Sequence, residues 1–106
     1  MTNPTELVDR YFRLAPGSDA DAYLAQFADD ANAEDEGHEY HGLAAIRAWR
    51  AEVPPVSYVV GDVAAIDGGH VAHAEIAGDF PGSPVTLAFR FTFGDDGQIQ
   101  RLAITQ

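Results

Sequence analysis

The second half of the sequence alternates between apolar and polar residues and is broken by short turns, and this pattern strongly constrains the fold. The turns, at residues 67–69, 81–83 and 94–97, are rich in Gly, Pro and Asp. Side chains on a β-strand point alternately to its two faces, so each segment has one apolar face. The pattern predicts four strands joined as an antiparallel meander. They cover residues 56–66, 71–80, 84–93 and 99–105.

The first half has apolar residues at helical spacing instead. Asn3 is a suitable N-cap and Pro4 suits the first helical position, which predicts a helix that ends before Pro16-Gly17. A second helix is expected to begin at Ser18, and a third to run over residues 43–51 and end at Pro54-Pro55. The predicted buried face of the second helix consists of Tyr23, Leu24, Phe27 and Ala28.

Asp35 is the most unusual residue between the second and third helices. We predict a strand over residues 31–35, on which Asp35 shares a face with Ala31 and Ala33. A carboxylate directed into an apolar space is costly unless it is paired, protonated or used chemically. The alternative is a carboxylate at a strand end that hydrogen-bonds to the following loop, predicted over residues 36–42.

Together these elements predict one α+β domain over residues 1–106, in which three N-terminal helices pack on a strongly curved, mainly antiparallel sheet. The result is a cone-shaped α+β barrel. The inward-facing positions of one strand carry the small residues Ala72, Ala74 and Gly78. Either the helices approach the sheet very closely at these positions, or an apolar cavity is left open.

Composition excludes several classes of function. The net charge of −11 disfavours binding to nucleic acid and to anionic membranes, and no apolar run approaches the ~20 residues of a membrane helix. The N-terminus lacks the features of a signal peptide, so we expect a cytoplasmic protein. The absence of cysteine excludes disulfides and thiolate chemistry. No phosphate loop or dinucleotide fingerprint occurs, and we expect no cofactor.

Four stretches resemble the nuclear transport factor 2-like superfamily, which includes ketosteroid isomerases, SnoaL-like polyketide cyclases and limonene-epoxide hydrolases. They are Arg10-Tyr11, F-A-D-D-A-N-A-E-D at 27–35, G-L-A-A-I-R-A-W at 42–49 and F-G-D-D-G-Q-I-Q at 93–100. The resemblance spans nearly the whole chain. It implies the cone-shaped fold and a homodimer formed through the outer face of the sheet.

The resemblance to ketosteroid isomerases also implies residue roles. Asp35 falls on the general base, which moves a proton beside a carbonyl, and Tyr11 falls on the tyrosine of the oxyanion hole. Phe89 replaces the protonated carboxylic acid that completes that hole, while Phe27 and Arg50 replace two supporting tyrosines. Losing one oxyanion donor typically costs ~10²–10³ in rate.

The remaining candidates line the predicted cavity or its rim. His38 and His41 are possible rim residues, although ordinary exposed histidines are the simpler interpretation. His70 and His73, three apart on a strand, point to opposite faces, whereas His38 and His41 in a loop could share an ion. We predict no metal site, because the usual ligand spacing on a defined scaffold is missing. Arg50 is either a solvated helix end or the partner of a rim carboxylate, and Glu34 and Glu36 are expected to point away from Asp35. The predicted ligand-binding residues are Phe12, Phe27, Ala33, Trp49, Ala74, Ile76, Leu87, Phe89, Leu102 and Ile104.

Three functions remain open at this point. The first is a cofactor-independent enzyme in which Asp35 moves a proton on a carbonyl-bearing or epoxide-bearing apolar ligand, with isomerisation or aldol-type cyclisation as the reaction class. The second is a non-catalytic dimer whose cavity holds a hydrophobic molecule. The third is a purely structural dimer with a collapsed cavity.

Overall fold

A computed structural model describes residues 3–17, 19–53 and 56–106 and confirms the α+β prediction. Three helices pack on one curved sheet of six strands. The helices are α1 (Pro4–Leu14), α2 (Ala20–Ala25) and α3 (Leu43–Glu52). The strands are β1 (Phe27–Asp35), β2 (His38–His41), β3 (Val56–Ile66), β4 (Gly69–Gly78), β5 (Val85–Phe93) and β6 (Ile99–Thr105).

The sheet has the strand order β2-β1-β6-β5-β4-β3. Within the run from β3 to β6, each strand pairs antiparallel with the next one in the chain, as the meander prediction required. Strand β1 adds to this meander in parallel to β6, with Ala33 opposite Leu102 and Asp35 opposite Ile104. The last strand therefore lies beside the first one and brings residues from both ends of the chain to one place.

The helix starts follow from local capping. The side chain of Asn3 accepts a hydrogen bond from the backbone N–H of Glu6 at 2.9 Å, and Asp19 caps α2 by accepting from the N–H of Ala22 at 3.0 Å. The predicted start at Ser18 and the predicted stop at Pro54-Pro55 fall outside the described residues. Within the described ranges, no helix has the length and apolarity that crossing a membrane requires.

The segment from Phe27 to His41 differs from the prediction. Phe27 and Ala28 belong to β1, not to α2, and the predicted loop contains β2, which pairs antiparallel with β1. Glu36 and Gly37 form the two-residue turn between them, with φ angles of 49° and 91°. Two successive positive φ angles give a turn whose twist matches a β-hairpin. The pair Glu-Gly is not the usual Asn-Gly signal of such a turn, so the sequence pattern favoured a loop.

The small residues of β4 allow close packing at one end of the cone and leave space at the other. Ala72 and Ala74 are buried and lie opposite Phe89 and Leu87 on β5. The ring of Phe12 on α1 lies 5.0 Å from the ring of Phe89, so the helix approaches the sheet closely there. Gly78 was predicted to face inward but is exposed, because β4 ends at this residue.

Candidate functional site

A cavity of about 340 Å³ opens beyond this closely packed region. Its volume falls near the lower end of the range for small-molecule pockets, ~300–1,000 Å³. Most of its wall is apolar, with a few polar groups that converge from β1, α1 and α3. The lining residues are Tyr11, Asp35, Glu36, Trp49, Arg50, Val53, Val56, Tyr58, Ile76, Phe80, Val85, Leu87, Phe89 and Ile104.

Asp35 is the last residue of β1 and enters the cavity from the strand end. Ala31 and Ala33, on the same strand face, are completely buried, whereas Asp35 is half-buried because the strand ends there. The indole Nε1–H of Trp49 donates a hydrogen bond to Asp35 Oδ2 at 3.1 Å. Trp49 is itself stacked on Tyr40 with a centroid distance of 5.7 Å. The carboxylate is thus oriented through one oxygen by a side chain that is fixed by packing.

Tyr11 reaches the cavity from α1 and is paired with a second tyrosine. The hydroxyl oxygens of Tyr11 and Tyr23 lie 2.9 Å apart, and both side chains are buried. Burial, together with the neighbouring Tyr23, raises the pKa of Tyr11 well above its ordinary value. Burial also raises the pKa of Tyr23, against the opposing effect of the Arg50 charge. Both phenols therefore stay protonated and can act as hydrogen-bond donors near neutral pH.

Arg50 on α3 lies beside this tyrosine pair. Its Nη2 donates a hydrogen bond to the backbone carbonyl of Ala15, and its Cζ lies 4.4 Å from the ring centroid of Tyr23. Stacking of a guanidinium on an aromatic face is favourable by about 0.5–2 kcal/mol. The prediction for Arg50 allowed a rim carboxylate as its partner, but the contacts above are to a carbonyl and an aromatic ring.

The predicted ligand-binding residues divide into two groups. Trp49, Ile76, Leu87, Phe89 and Ile104 line the cavity together with Asp35 and Tyr11. The others are buried in the core and do not line the cavity. The division follows the pairing of β1 with β6. The cavity begins at the pair Asp35–Ile104, whereas the preceding inward pair, Ala33–Leu102, is buried in the core. The core group is Phe12, Phe27, Ala33, Ala74 and Leu102.

The two rim histidines do not reach the cavity. His38 and His41 lie on β2 and are exposed, because the predicted loop is an edge strand of the sheet. Glu36 instead lines the cavity, although it was predicted to point away. Its position follows from the hairpin turn that it forms with Gly37. Glu34 does point away from Asp35 and pairs with Arg101 at 2.9 Å.

In the residues that the structure describes, no group of three His, Asp or Glu side chains is arranged to hold a metal ion.

Several lining residues were absent from the prediction. Val56 and Tyr58 alternate with exposed residues on β3, and this alternation was a usable signal that they face inward. Val85 begins the alternating pattern of β5, which indicated that it faces inward with Leu87, whereas Phe80 lies beyond the end of β4 and outside the observed alternation. Val53 follows the last turn of α3 and likewise had no such signal.

Three helices on a curved six-stranded sheet, with a cavity between the two layers, define a protein of the nuclear transport factor 2-like superfamily. The family model of the SnoaL-like domain matches residues 8–102, and the chain belongs to this family.

Solved structures agree with this assignment. A protein from Sinorhizobium meliloti that has been proposed to be a polyketide cyclase is 35% identical, with 94% of each chain covered and a TM-score of 0.86. A Sphaerobacter thermophilus protein is 24% identical, with 95% of this chain and 93% of that chain covered and a TM-score of 0.82. A Catenulispora acidiphila protein with a ketosteroid isomerase-like fold, solved with trimethylamine, is 19% identical over 99% of this chain and 87% of its own, with a TM-score of 0.81. The last two similarities bear on the fold alone. No curated protein matches the sequence.

Proposed function

We propose that the protein is a cofactor-independent small-molecule enzyme that moves a proton on a carbonyl-bearing apolar ligand. Asp35 is the base, and Tyr11 stabilises the oxyanion that develops on the carbonyl oxygen. The observation that carries the proposal is their position in one apolar cavity, with the Asp35 carboxylate held at 3.1 Å by Trp49. The reaction class is isomerisation or aldol-type cyclisation, since both begin with proton abstraction next to a carbonyl.

The two carboxylate oxygens of Asp35 have different roles in the proposed mechanism. Trp49 donates a hydrogen bond to Oδ2, and Oδ1 is the oxygen that takes a proton from a carbon acid in the cavity. A positioned general base typically contributes ~10²–10⁴ in rate. In an isomerisation the same carboxyl group returns the proton to another carbon, and no oxidant or reductant is consumed.

Tyr11 contributes through the pair that it forms with Tyr23. When Tyr23 donates to the Tyr11 oxygen, the hydroxyl proton of Tyr11 is available to the ligand. A chain of hydrogen bonds polarises its members, so Tyr23 makes Tyr11 a stronger donor. This partner comes from α2 and takes the place of the supporting tyrosines that Phe27 and Arg50 replace in the family pattern. Phe89 lines the cavity but has no donor, so the oxyanion site relies on Tyr11.

The similarity to the Sinorhizobium meliloti protein supports cyclisation as well as isomerisation. That protein has been proposed to be a polyketide cyclase, and the two chains align over 94% of their length. In an aldol-type closure the carbanion formed by Asp35 attacks a second carbonyl of the same ligand, and the new alkoxide takes up the proton. Every group needed for proton transfer is therefore a side chain of this protein.

The test is the conversion of a β,γ-unsaturated ketone to its conjugated isomer, followed by ultraviolet absorbance. We expect Asp35→Asn to lower kcat by ~10²–10⁴, because the amide has no basic oxygen. Glu34→Gln is the matched control, since Glu34 lies on the same strand and pairs with Arg101 outside the cavity. Equal rates for the wild type and Asp35→Asn would remove Asp35 from the mechanism.

A second candidate is a non-catalytic homodimer that binds a hydrophobic ligand. Phe89, in place of an acid, makes the cavity more apolar than the isomerase pattern. Val59 on β3 is 66% exposed and Ile66 is 41% exposed, which favours a partner on the outer sheet face. Under the enzymatic proposal too, we expect a homodimer through this face.

Native mass spectrometry of protein purified from its own host separates the two candidates. The binding function predicts a dimer of twice the 11.4 kDa chain mass with one retained, chemically unaltered ligand per chain. The enzymatic function predicts a dimer that releases its ligand or holds a converted product. A monomer would contradict the dimer in both.

A further inference from the structure

Arg50 lies between two cavities. It lines the main cavity and also a second one of about 410 Å³ between α2 and α3. Tyr23 lines the second cavity, and its hydroxyl meets Tyr11, which lines the first. The guanidinium and the tyrosine pair thus form a shared wall, and a positive charge faces the apolar cavity that contains Asp35.

The contacts of this guanidinium leave hydrogen-bonding capacity unused. One terminal nitrogen donates to the Ala15 carbonyl, the hydroxyl of Tyr58 is close enough to accept a side-chain hydrogen bond, and the planar face lies on Tyr23 at 4.4 Å. A guanidinium has five N–H donors in a rigid fork. Among residues 3–17, 19–53 and 56–106, the ion pairs involve Arg47 and Arg101, and Arg50 takes part in none of them.

Arg50 is a cation among the lining residues of the main cavity, whose other charged members, Asp35 and Glu36, are acidic. The protein carries a net charge of −11, so acidic partners are abundant on its surface, yet none pairs with Arg50 in the described part of the chain. Asp35 and Glu36 line the same cavity, but the Asp35 carboxylate is engaged by Trp49 and Glu36 is exposed on the hairpin turn. A half-buried cation that faces an apolar cavity favours an anionic occupant, because desolvation strengthens their attraction.

We propose that the natural ligand carries a carboxylate that is bound by Arg50, while the carbon that loses a proton lies next to Asp35. The inference rests on the proposed function for the role of Asp35 only. The planar guanidinium matches a carboxylate by two parallel hydrogen bonds, a geometry that a lysine does not reproduce.

The substrate class that follows is a small, mostly apolar keto acid. Its carboxylate anchors at the α1–α2–α3 side of the cavity, and its carbonyl lies near Tyr11. Asp35 takes a proton from the carbon beside that carbonyl, the electron pair moves onto the carbonyl oxygen as an enolate, and reprotonation at another carbon completes the reaction. The carboxylate is unchanged throughout and serves only to orient the molecule.

The carboxylate site is tested by measuring ligand selectivity, which requires no catalytic turnover. The probes are 2-naphthoate and its neutral isostere 2-naphthamide, and binding is followed by the fluorescence of Trp49, the single tryptophan, which lines the cavity. We expect the wild type to bind the carboxylate at least about tenfold more tightly, which corresponds to ~1.4 kcal/mol. Arg50→Gln should remove this preference, because it weakens naphthoate binding much more than naphthamide binding. Arg50→Lys should retain part of it, because the charge remains without the fork.

Arg47→Gln is the matched control. Arg47 lies on the same helix, one turn before Arg50, and pairs with Asp21 at 2.8 Å on the surface. This variant should keep the full preference for naphthoate. Retention of the preference in a folded Arg50→Gln variant would overturn the inference, and so would equal wild-type affinity for the two probes. The wild-type comparison holds even where Arg50→Gln does not fold.

The outcome is independent of the catalytic proposal. Asp35→Asn should bind naphthoate with the same preference, or a greater one, because a negative charge is removed. A protein that isomerises neutral ketones through Asp35 but shows no preference for naphthoate would refute the carboxylate site alone. A naphthoate preference without any effect of Asp35→Asn on ketone turnover would refute the catalytic role alone.

Discussion

The hydrogen bond from Trp49 to Asp35 determines how a carboxylate is tolerated at the cavity. Asp35 is half-buried at the end of β1, where its backbone places it on the same face as buried alanines. The indole N–H offsets part of the cost of removing this carboxylate from water. A single donor orients the group but leaves one oxygen available, and this combination suits a base better than a purely structural carboxylate.

Substitution of Trp49 by Phe tests that hydrogen bond at the level of the residue. The phenyl ring retains an aromatic surface for stacking on Tyr40 but lacks the N–H donor. We expect the free energy of unfolding to fall by about 1–3 kcal/mol, measured by urea denaturation. A double-mutant cycle with Asp35→Asn isolates the hydrogen bond from the change in packing. A coupling energy of zero would show that the contact contributes nothing to stability.

At the scale of the element, the start of β4 requires a glycine because the neighbouring backbone lies very close. A Cβ built on Gly69 would meet the carbonyl oxygen of Phe91 at 2.0 Å, and that oxygen belongs to β5 and has little freedom to move. His70, the next residue, pairs with Phe91 in the sheet. The start of β4 therefore lies tightly beside β5 in the sheet.

Gly69→Ala should therefore destabilise the protein. We expect a loss of ~1–3 kcal/mol or more, because the clash involves backbone atoms and overpacking is relieved only by moving a strand. Gly17→Ala is the control, since its added Cβ would lie 3.4 Å from the nearest atom, an ordinary contact. Thermal unfolding of both variants checks this, and equal melting temperatures would contradict the predicted clash.

For the molecule as a whole, the buried tyrosine pair connects stability to pH. Tyr11 and Tyr23 join α1 to α2, and burial raises the pKa of both phenols in the folded state. In the unfolded chain the same groups ionise near their ordinary pKa of 10.0. Between the unfolded and the folded pKa, the unfolded state binds fewer protons, so stability falls as pH rises.

We expect these two phenols to leave the free energy of unfolding constant at lower pH and to decrease it above about pH 10. The decrease approaches ~1.4 kcal/mol per pH unit for each phenol. Urea denaturation at a series of alkaline pH values measures the slope. Tyr23→Phe should lower the slope by the share of one phenol, and an unchanged slope would show that Tyr23 does not contribute.

Local patterns in the sequence were sufficient for most of the elements. The alternation of β4 predicted that Ala72 and Ala74 face inward, and both are buried. The β1–β2 hairpin was not predicted, because Glu-Gly is not a usual sequence for the hairpin turn that Glu36 and Gly37 form. The convergence of Arg50, Tyr23 and Tyr11 was not predicted either, since each residue comes from a different helix.

The sequence by itself determined the secondary structure of most of the chain, the strand face that Asp35 shares with Ala31 and Ala33, and the α+β class, because these depend on neighbours a few positions away. Only the tertiary structure decided that the cavity begins at the pair Asp35–Ile104 and that Arg50 faces it. Both follow from the parallel pairing of β1 with β6 and from the packing of three helices against one another. Such contacts join residues that are distant in the chain, and the periodicity of apolar residues does not indicate which distant residues come into contact.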